Sequence, residues 1–301
     1  MELGNWEIAI PKFLNCTFPN TFGSMIIFPN CKLNLGLNVI RKREDGYHDV
    51  ETVFYPLNIC DVLEVITSND SNSKAVEFTT TGLKINGDEE NNLCIKAYKL
   101  LKKDFPRLPS IKMHLHKVIP IGAGLGGGSA DAAFTLLLLN KKFQLKLSQQ
   151  QLIHYASQLG SDCAFFIINK PCFAQSRGEL LEQINCDLSA YQFLIVNPGI
   201  HIDTKWAYSK IEPAVPEKRI KQIIQQPVET WKDSLINDFE KPVIQYYPQL
   251  KSLKEKLYEH GAVYAGMTGS GSTFFGIYSK TQKTDTNIFP EEYFVKMVPG
   301  K

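Results

Sequence analysis

The chain reads as an α+β protein. Three observations predict that class: an amino-terminal stretch rich in strand patterns and charged turns, a glycine run between an alternating segment and an unbroken helical pattern, and hairpin signals that outnumber strand–helix–strand units. From residue 25 to about 65 the pattern is strand-rich, broken by Lys42-Arg43-Glu44-Asp45-Gly46. An Asp-Gly step in a charged stretch between apolar runs marks a hairpin or a longer exposed loop. Residues 67–74 are a polar linker, and 75–85 return to strand character. Residues 93–101 predict a helix with Leu93, Ala97, Leu100 and Leu101 on one face and Asn91 or Asn92 at its cap. Residues 111–119 alternate as a half-buried strand and run straight into the glycines.

Helices are predicted over 129–141, with Ser129 and Asp131 near its start, and over 148–159, capped by Ser148 and ended by Gly160. A strand-like run follows at 165–168. Strands are expected around 180–184 and 193–196, a proline break at 213–216, and helices around 220–224, 231–246 and 250–261. No internal repeat or low-complexity tract is present.

Composition narrows the function classes. The chain has 301 residues, 44% of them hydrophobic, and a formal charge of +2, which suits a globular protein long enough for two domains. That charge is too small, and its basic residues too dispersed, for a nucleic-acid-coating surface. No apolar run reaches the roughly 18 residues of a membrane span. Seven cysteines occur without a Cys-x-x-Cys pair, as expected of thiols in a reducing, cytoplasmic compartment. Residues 1–24 lack the basic start and apolar core of a secretion signal and contain no arginine, so they read as a leader or non-native segment with the true start at Met25.

The segment Pro120-Ile-Gly-Ala-Gly-Leu-Gly-Gly-Gly-Ser-Ala130 carries most of the functional signal. Gly122, Gly124, Gly126, Gly127 and Gly128 leave backbone N–H groups unshielded, and the helix that follows adds the positive end of its dipole. Together these favour phosphate. The dinucleotide fingerprint that overlaps the segment fails, because no Asp or Glu occurs from Ala132 to Ser161 to hold a ribose. A Walker A loop fails too, since Gly128 stands where its lysine belongs. A glycine-rich nucleotide loop of another kind remains, with its cations supplied from elsewhere in the chain.

Three segments together resemble the motifs of the GHMP kinases: Pro29-Asn-Cys-Lys-Leu-Asn-Leu35, the 120–130 loop, and Ala265-Gly-Met-Thr-Gly-Ser-Gly-Ser-Thr273. Arg43-Glu-Asp-Gly-Tyr-His48, Glu51-Thr-Val-Phe-Tyr-Pro56, Leu159-Gly-Ser-Asp162 and Asn237-Asp-Phe-Glu240 carry the likeness toward the branch acting on a cytidine-diphosphate-linked methylerythritol. The resemblance implies a two-domain fold with the active site in the cleft between domains. Residues 25–175 would form the amino-terminal domain, with the ATP loop and catalytic residues, and 176–301 the carboxy-terminal one. It further implies ATP-dependent phosphorylation of a substrate hydroxyl in non-mevalonate isoprenoid synthesis. Mg²⁺ would arrive with ATP, with no carboxylate ligand assigned to it. The expected partner is a small molecule, not nucleic acid or membrane, and the expected state a monomer or weak homodimer.

Phosphoryl transfer needs an aligned hydroxyl, a base for its proton, and donors for phosphate charge. Asp162 is the base candidate, an acid in the otherwise apolar passage 160–166. Its natural partner is Lys32, a lone cation between Cys31 and Leu33, which would keep the carboxylate ionised and polarise the hydroxyl. Their ordinary alternatives are a helix cap for Asp162 and a solvent-facing edge lysine for Lys32. Ser129 is a phosphate or Mg²⁺ ligand or a plain cap. By resemblance Pro120 and the loop glycines hold the phosphates. Asn92 and Lys117 lie near the adenine, Tyr47 and His48 meet the cytosine with Phe54 and Tyr208, and Asn34 and Thr204 contact the diphosphate or erythritol part.

His114 and His116 share one strand face and read as surface residues; zinc lacks a third ligand. Residues 266–272 are expected to steady the phosphate loop, with Thr268 and Ser270 as donors. The competing readings are another small-molecule kinase of the family (homoserine or mevalonate type), a non-catalytic nucleotide-binding relative, and an RNA-binding module.

Overall fold

A computed structural model describes residues 18–19, 24–68 and 74–301. Most of the predicted leader at 1–24 and most of the predicted linker at 67–74 lie outside these residues. In chain order the strands and helices are β1 (Phe18–Pro19), β2 (Met25–Ile27), β3 (Asn30–Lys42), β4 (His48–Cys60), β5 (Val62–Thr67), β6 (Val76–Gly82), α1 (Leu93–Asp104), β7 (Ile111–Lys117), α2 (Gly127–Lys142), α3 (Gln149–Leu159), α4 (Cys163–Ile168), β8 (Cys172–Gln175), β9 (Leu180–Gln183) and β10 (Tyr191–Asn197). The remainder are α5 (Thr204–Ser209), α6 (Ile220–Ile223), α7 (Glu240–Tyr246), α8 (Gln249–Glu259), β11 (Tyr264–Met267), β12 (Phe274–Ser279) and β13 (Phe294–Pro299).

Among the described residues these strands form three sheets, ordered β1-β2-β5-β7-β6, β3-β4-β8-β9 and β11-β12-β10-β13. The fold is α+β as expected, with antiparallel pairing throughout except the parallel β6–β7 pair. Strand β3 is buried along Asn30–Val39, because the middle sheet is covered on both faces. One apolar cluster packs α1–α4 on the first sheet, another fills the space between the middle and last sheets, and a third seats α7 and α8. The Asp45-Gly46 hairpin joins β3 to β4, Asn92 caps α1 through its side-chain oxygen, and Ser148 caps α3 in a reciprocal capping box.

Two expectations are corrected. Residues 165–168 are not a strand but the body of α4, which packs against α2 and α3 and stops where Asn169 turns left-handed. A short apolar run buried on all sides has no period to distinguish the two states. The helix expected over 231–246 is confined to α7. Upstream of it, Leu37 of β3 donates to the Ile236 carbonyl and accepts from the Asp238 amide, which holds 236–238 extended as a parallel bridge beside β3.

Candidate active site

The glycine loop enters α2 through Gly122, Gly124 and Gly126, all at positive φ (65°, 78° and 71°). Gly126 occupies the cap position, and no side chain caps the helix. The amides of the first turn are therefore not taken by a side chain and remain for a ligand. Three glycines are required by close approach. A Cβ on Gly124 would lie 2.1 Å from the Thr268 carbonyl oxygen, one on Gly126 3.0 Å from the Lys32 stem, and one on Gly127 2.9 Å from Lys117 Nζ. At Gly128 a Cβ would meet nothing within 4 Å. That absence keeps space open in front of the amides, which fits a phosphate chain.

The two positions therefore respond differently to alanine. Gly124→Ala loses roughly 2–4 kcal/mol of stability, from a backbone collision at positive φ. Gly128→Ala keeps wild-type stability and weakens nucleotide binding. Urea denaturation and nucleotide titration separate the two, and a Gly124→Ala protein as stable as wild type would refute the contact with Thr268.

Strand β3 brings Lys32 and Asn34 to the loop, and its Lys32 amide donates to the Leu125 carbonyl at 3.0 Å. The Lys32 ammonium sits 3.2 Å from Asp162 Oδ2, donates to Asn34 Oδ1 at 2.6 Å and lies 4.9 Å from the Phe54 ring centroid. Lys32 is 3% exposed, so it is no solvent-facing edge residue. Asp162 sits at the cap position of α4 yet makes no capping bond there. Its side chain is 31% exposed and opens into the cleft. Asn34 is pinned in turn: its Nδ2 donates to Thr52 Oγ1 at 3.0 Å, and its amide donates to Thr268 Oγ1 at 2.9 Å. Thr268 Oγ1 lies 3.2 Å from the Gly124 carbonyl, so the third glycine motif and the phosphate loop abut as expected. Asn237 holds that motif, donating to the carbonyls of Met267 and Gly269.

These groups line a cleft of about 400 Å³, which also takes in Thr204 and Tyr208. Thr204 Oγ1 is 3.1 Å from Ser270 Oγ. Tyr208 stacks on His48 (centroids 4.7 Å, planes 16° apart) and meets Phe239 edge-on. Burial pushes the Tyr208 hydroxyl up to about 12, and burial followed by Lys42 lowers the His48 imidazole, so both are neutral near pH 7. Tyr47 stands apart. It is 57% exposed at the hairpin tip, outside the cleft lining, with the Arg177 guanidinium 4.9 Å from its ring centroid.

A second cleft of about 530 Å³ shares Gly122 with the first and is lined by Asn92, Lys117, Gly128 and Asp131. Lys117 proves to be no solvated strand residue: its ammonium bridges the buried carboxylates of Asp61 and Asp131. Burial works against that charge, but Asp131 and Asp61 outweigh it and hold the ammonium above its ordinary range. Asp61 also accepts from the amides of Val118 and Ile119, at 2.6 and 2.9 Å. Asp131 Oδ1 is buried without a hydrogen-bond partner.

Asp131 carries a pH consequence. Burial raises its carboxyl from 3.8 to about 7, against the pull of Lys117 and with the help of Asp61. Between those values the folded chain holds a proton that the unfolded chain has released. This contribution to stability is complete below about 3.8, falls as pH rises from there and is gone above about 7. Asp131→Asn should flatten the fall in melting temperature between about pH 4 and pH 7; an unchanged slope would assign that proton elsewhere.

Of the expected residues, the first cleft gathers Lys32, Asn34, Phe54, Asp162, Thr204, Tyr208 and the positive-φ loop glycines, and the second gathers Asn92, Lys117 and Gly128. Pro120 leads into the loop, and Ser129, half-buried, falls in the first turn of α2 rather than at its cap. His114 and His116 face the threonines of β6. Sequence reading missed Asp61, which holds Lys117, and Arg177 and His201, which line the first cleft. Asp61 had a signal, a lone acid between Cys60 and Val62; Arg177 and His201 had none beyond their charge and chemistry.

Residues 92–170 match the model of the GHMP kinases N terminal domain, and residues 218–288 that of the GHMP kinases C terminal. A 4-diphosphocytidyl-2-C-methyl-D-erythritol kinase of Bacteroides fragilis is 50% identical over 259 residues, covering 86% of this chain and 94% of the relative. The enzyme of that name from Bacteroides thetaiotaomicron is 49% identical over 270 residues, covering 88% and 98%. A crystal structure of 4-(cytidine 5'-diphospho)-2C-methyl-D-erythritol kinase superposes with a TM-score of 0.74 at 26% identity, covering 92% of this chain and 100% of that one. Homoserine kinase from Cytophaga hutchinsonii shares the fold, with a TM-score of 0.67 at 15% identity over 95% and 98% of the two chains. With both domain models matched and half the residues shared with such relatives, the chain belongs to the GHMP kinase family, among its 4-diphosphocytidyl-2-C-methyl-D-erythritol kinases.

Proposed function

We propose that this kinase transfers the γ-phosphoryl group of ATP to the 2-hydroxyl of 4-diphosphocytidyl-2-C-methyl-D-erythritol, a step in non-mevalonate isoprenoid precursor synthesis. The observation that carries this reading is the Lys32–Asp162 ion pair at the mouth of an uncapped glycine loop. Asp162 accepts the proton of the attacking hydroxyl as its oxygen bonds to phosphorus. Lys32 orients that carboxylate and offers positive charge beside it, while Asn34 and Phe54 fix the ammonium. The amides at the start of α2 stabilise phosphate charge. Bound ATP with Mg²⁺ supplies the phosphoryl group and a leaving group whose charge the metal neutralises.

Gly122, Gly124, Gly126, Gly127, Gly128 and Ser129 would hold the phosphates, with Ser129 the hydroxyl available to the metal. Asn92 and Lys117 would border the adenine. The stacked His48 and Tyr208, with Phe54 lining the same cleft as Tyr208, would receive the cytosine, and Tyr47 at the hairpin tip would meet it from outside the cleft lining. Thr204 and Asn34 serve the diphosphate and erythritol part. Six described cysteines are free thiols, in keeping with cytoplasmic work. No helix of the described residues is long and apolar enough to cross a membrane.

The test is transfer of label from γ-labelled ATP in the presence of the cytidyl substrate, homoserine or mevalonate. Label enters the cytidyl substrate; label entering either of the others, or none, overturns the assignment.

A further inference from the structure

We propose that Arg177 binds the diphosphate of the cytidyl substrate and so sets the preference for a cytidine diphosphate over a bare cytidine; this rests on the function proposed above. The observation is an imbalance of charge in the first cleft. Lys32 is committed to Asp162 and Asn34. On the neighbouring wall Arg43 is engaged by Asp45, Asp49 and Ser176, and Arg41 by Asp49. Arg177 lines the same cleft as Asp162 with its charge far less engaged. Its side chain is 41% exposed, and its contact with Glu179 is long, at 3.5 Å. Glu179 Oε1 also takes the Ser176 hydroxyl at 3.2 Å.

The guanidinium lies by its carbon 4.9 Å from the centroid of the Tyr47 ring. Contact with an aromatic face leaves the N–H groups at the guanidinium edge available, and that fork matches two phosphate oxygens. The turn that carries Arg177 is fixed at both flanks. Ser176 (φ 61°) accepts from the Val50 amide at 2.7 Å through its carbonyl, and Gly178 has φ 103°. A Cβ on Gly178 would lie 3.8 Å from Asp162 Oδ1 and 3.7 Å from Phe54. The turn therefore sets a cation one residue in sequence from Gly178, which borders the reacting carboxylate, in the cleft that the loop glycines and Tyr208 also line. A diphosphate joining a cytosine near Tyr208 to a methylerythritol beside Asp162 runs through that cleft.

The experiment is calorimetric titration of wild type, R177A and R177K with cytidine diphosphate and with cytidine. A non-hydrolysable ATP analogue is kept saturating throughout so that the nucleotide cleft is filled. Wild type binds the diphosphate more tightly than the nucleoside. R177A shrinks that preference by about 10- to 100-fold, the scale of one or two charge-assisted hydrogen bonds, and leaves cytidine affinity within about 3-fold. R177K recovers part of it, having charge without the fork. Equal losses for both ligands would make Arg177 a prop for Tyr47 and overturn the proposal, as would unchanged affinity for the diphosphate. Wild type that binds neither ligand would sink the cytidyl reading itself, a result distinguishable from either.

Discussion

Asp162→Asn abolishes practical turnover, lowering kcat by about 10³- to 10⁴-fold, while ATP binding stays within about 3-fold of wild type. The replacement is nearly isosteric, and its amide oxygen still accepts from Lys32, so the ion-pair geometry of 3.2 Å survives as a hydrogen bond. What disappears is a group able to take the hydroxyl proton. The structure makes this a clean test because Asp162 makes no capping bond in α4. Removing its charge therefore does not unravel the helix. Single-turnover kinetics with saturating ATP would measure the effect, and a kcat within about 5-fold of wild type would remove Asp162 from the role of base.

Lys32→Ala is expected to lower kcat by about 10²- to 10³-fold, with ATP affinity changing less than about 5-fold. The ammonium stands 3.2 Å from the carboxylate and is 3% exposed, so its loss leaves Asp162 without its counter-charge and Asn34 Oδ1 without its donor. Asn34 also links to Thr52 and, through its amide, to Thr268 beside Gly124. The damage thus reaches the two glycine motifs, and some stability, on the order of 1–3 kcal/mol, goes with it. The pattern that matters is kcat against nucleotide affinity. A large loss of ATP affinity with kcat preserved would recast Lys32 as a phosphate anchor.

Turnover also separates this kinase from a non-catalytic relative, whose labelled ATP would go nowhere even in the wild type and which would have no kcat for either variant to lower. An RNA-binding reading finds no support in a chain of formal charge +2 whose Lys32 and Lys117 are both turned inward against carboxylates.

What the sequence by itself determined about this protein was local. The glycines before α2 announced an uncapped, amide-rich turn; Asn92 and Ser148 announced their helices; Asp45-Gly46 announced the hairpin. Each of these depends on torsional freedom or hydrogen bonding within a few residues of the chain. The lone cation at Lys32 and the lone acid in the apolar passage 160–166 added an expectation that Lys32 and Asp162 would meet. Only the tertiary structure decided that Lys32 is buried against Asp162, that Lys117 is shared by Asp61 and Asp131, that residues 163–168 are helical, and that Arg177 rather than Tyr47 lines the cleft. Those outcomes follow from strand register and from packing between distant segments. A one-residue slip of β3 would turn Lys32 to the opposite face without altering any local pattern.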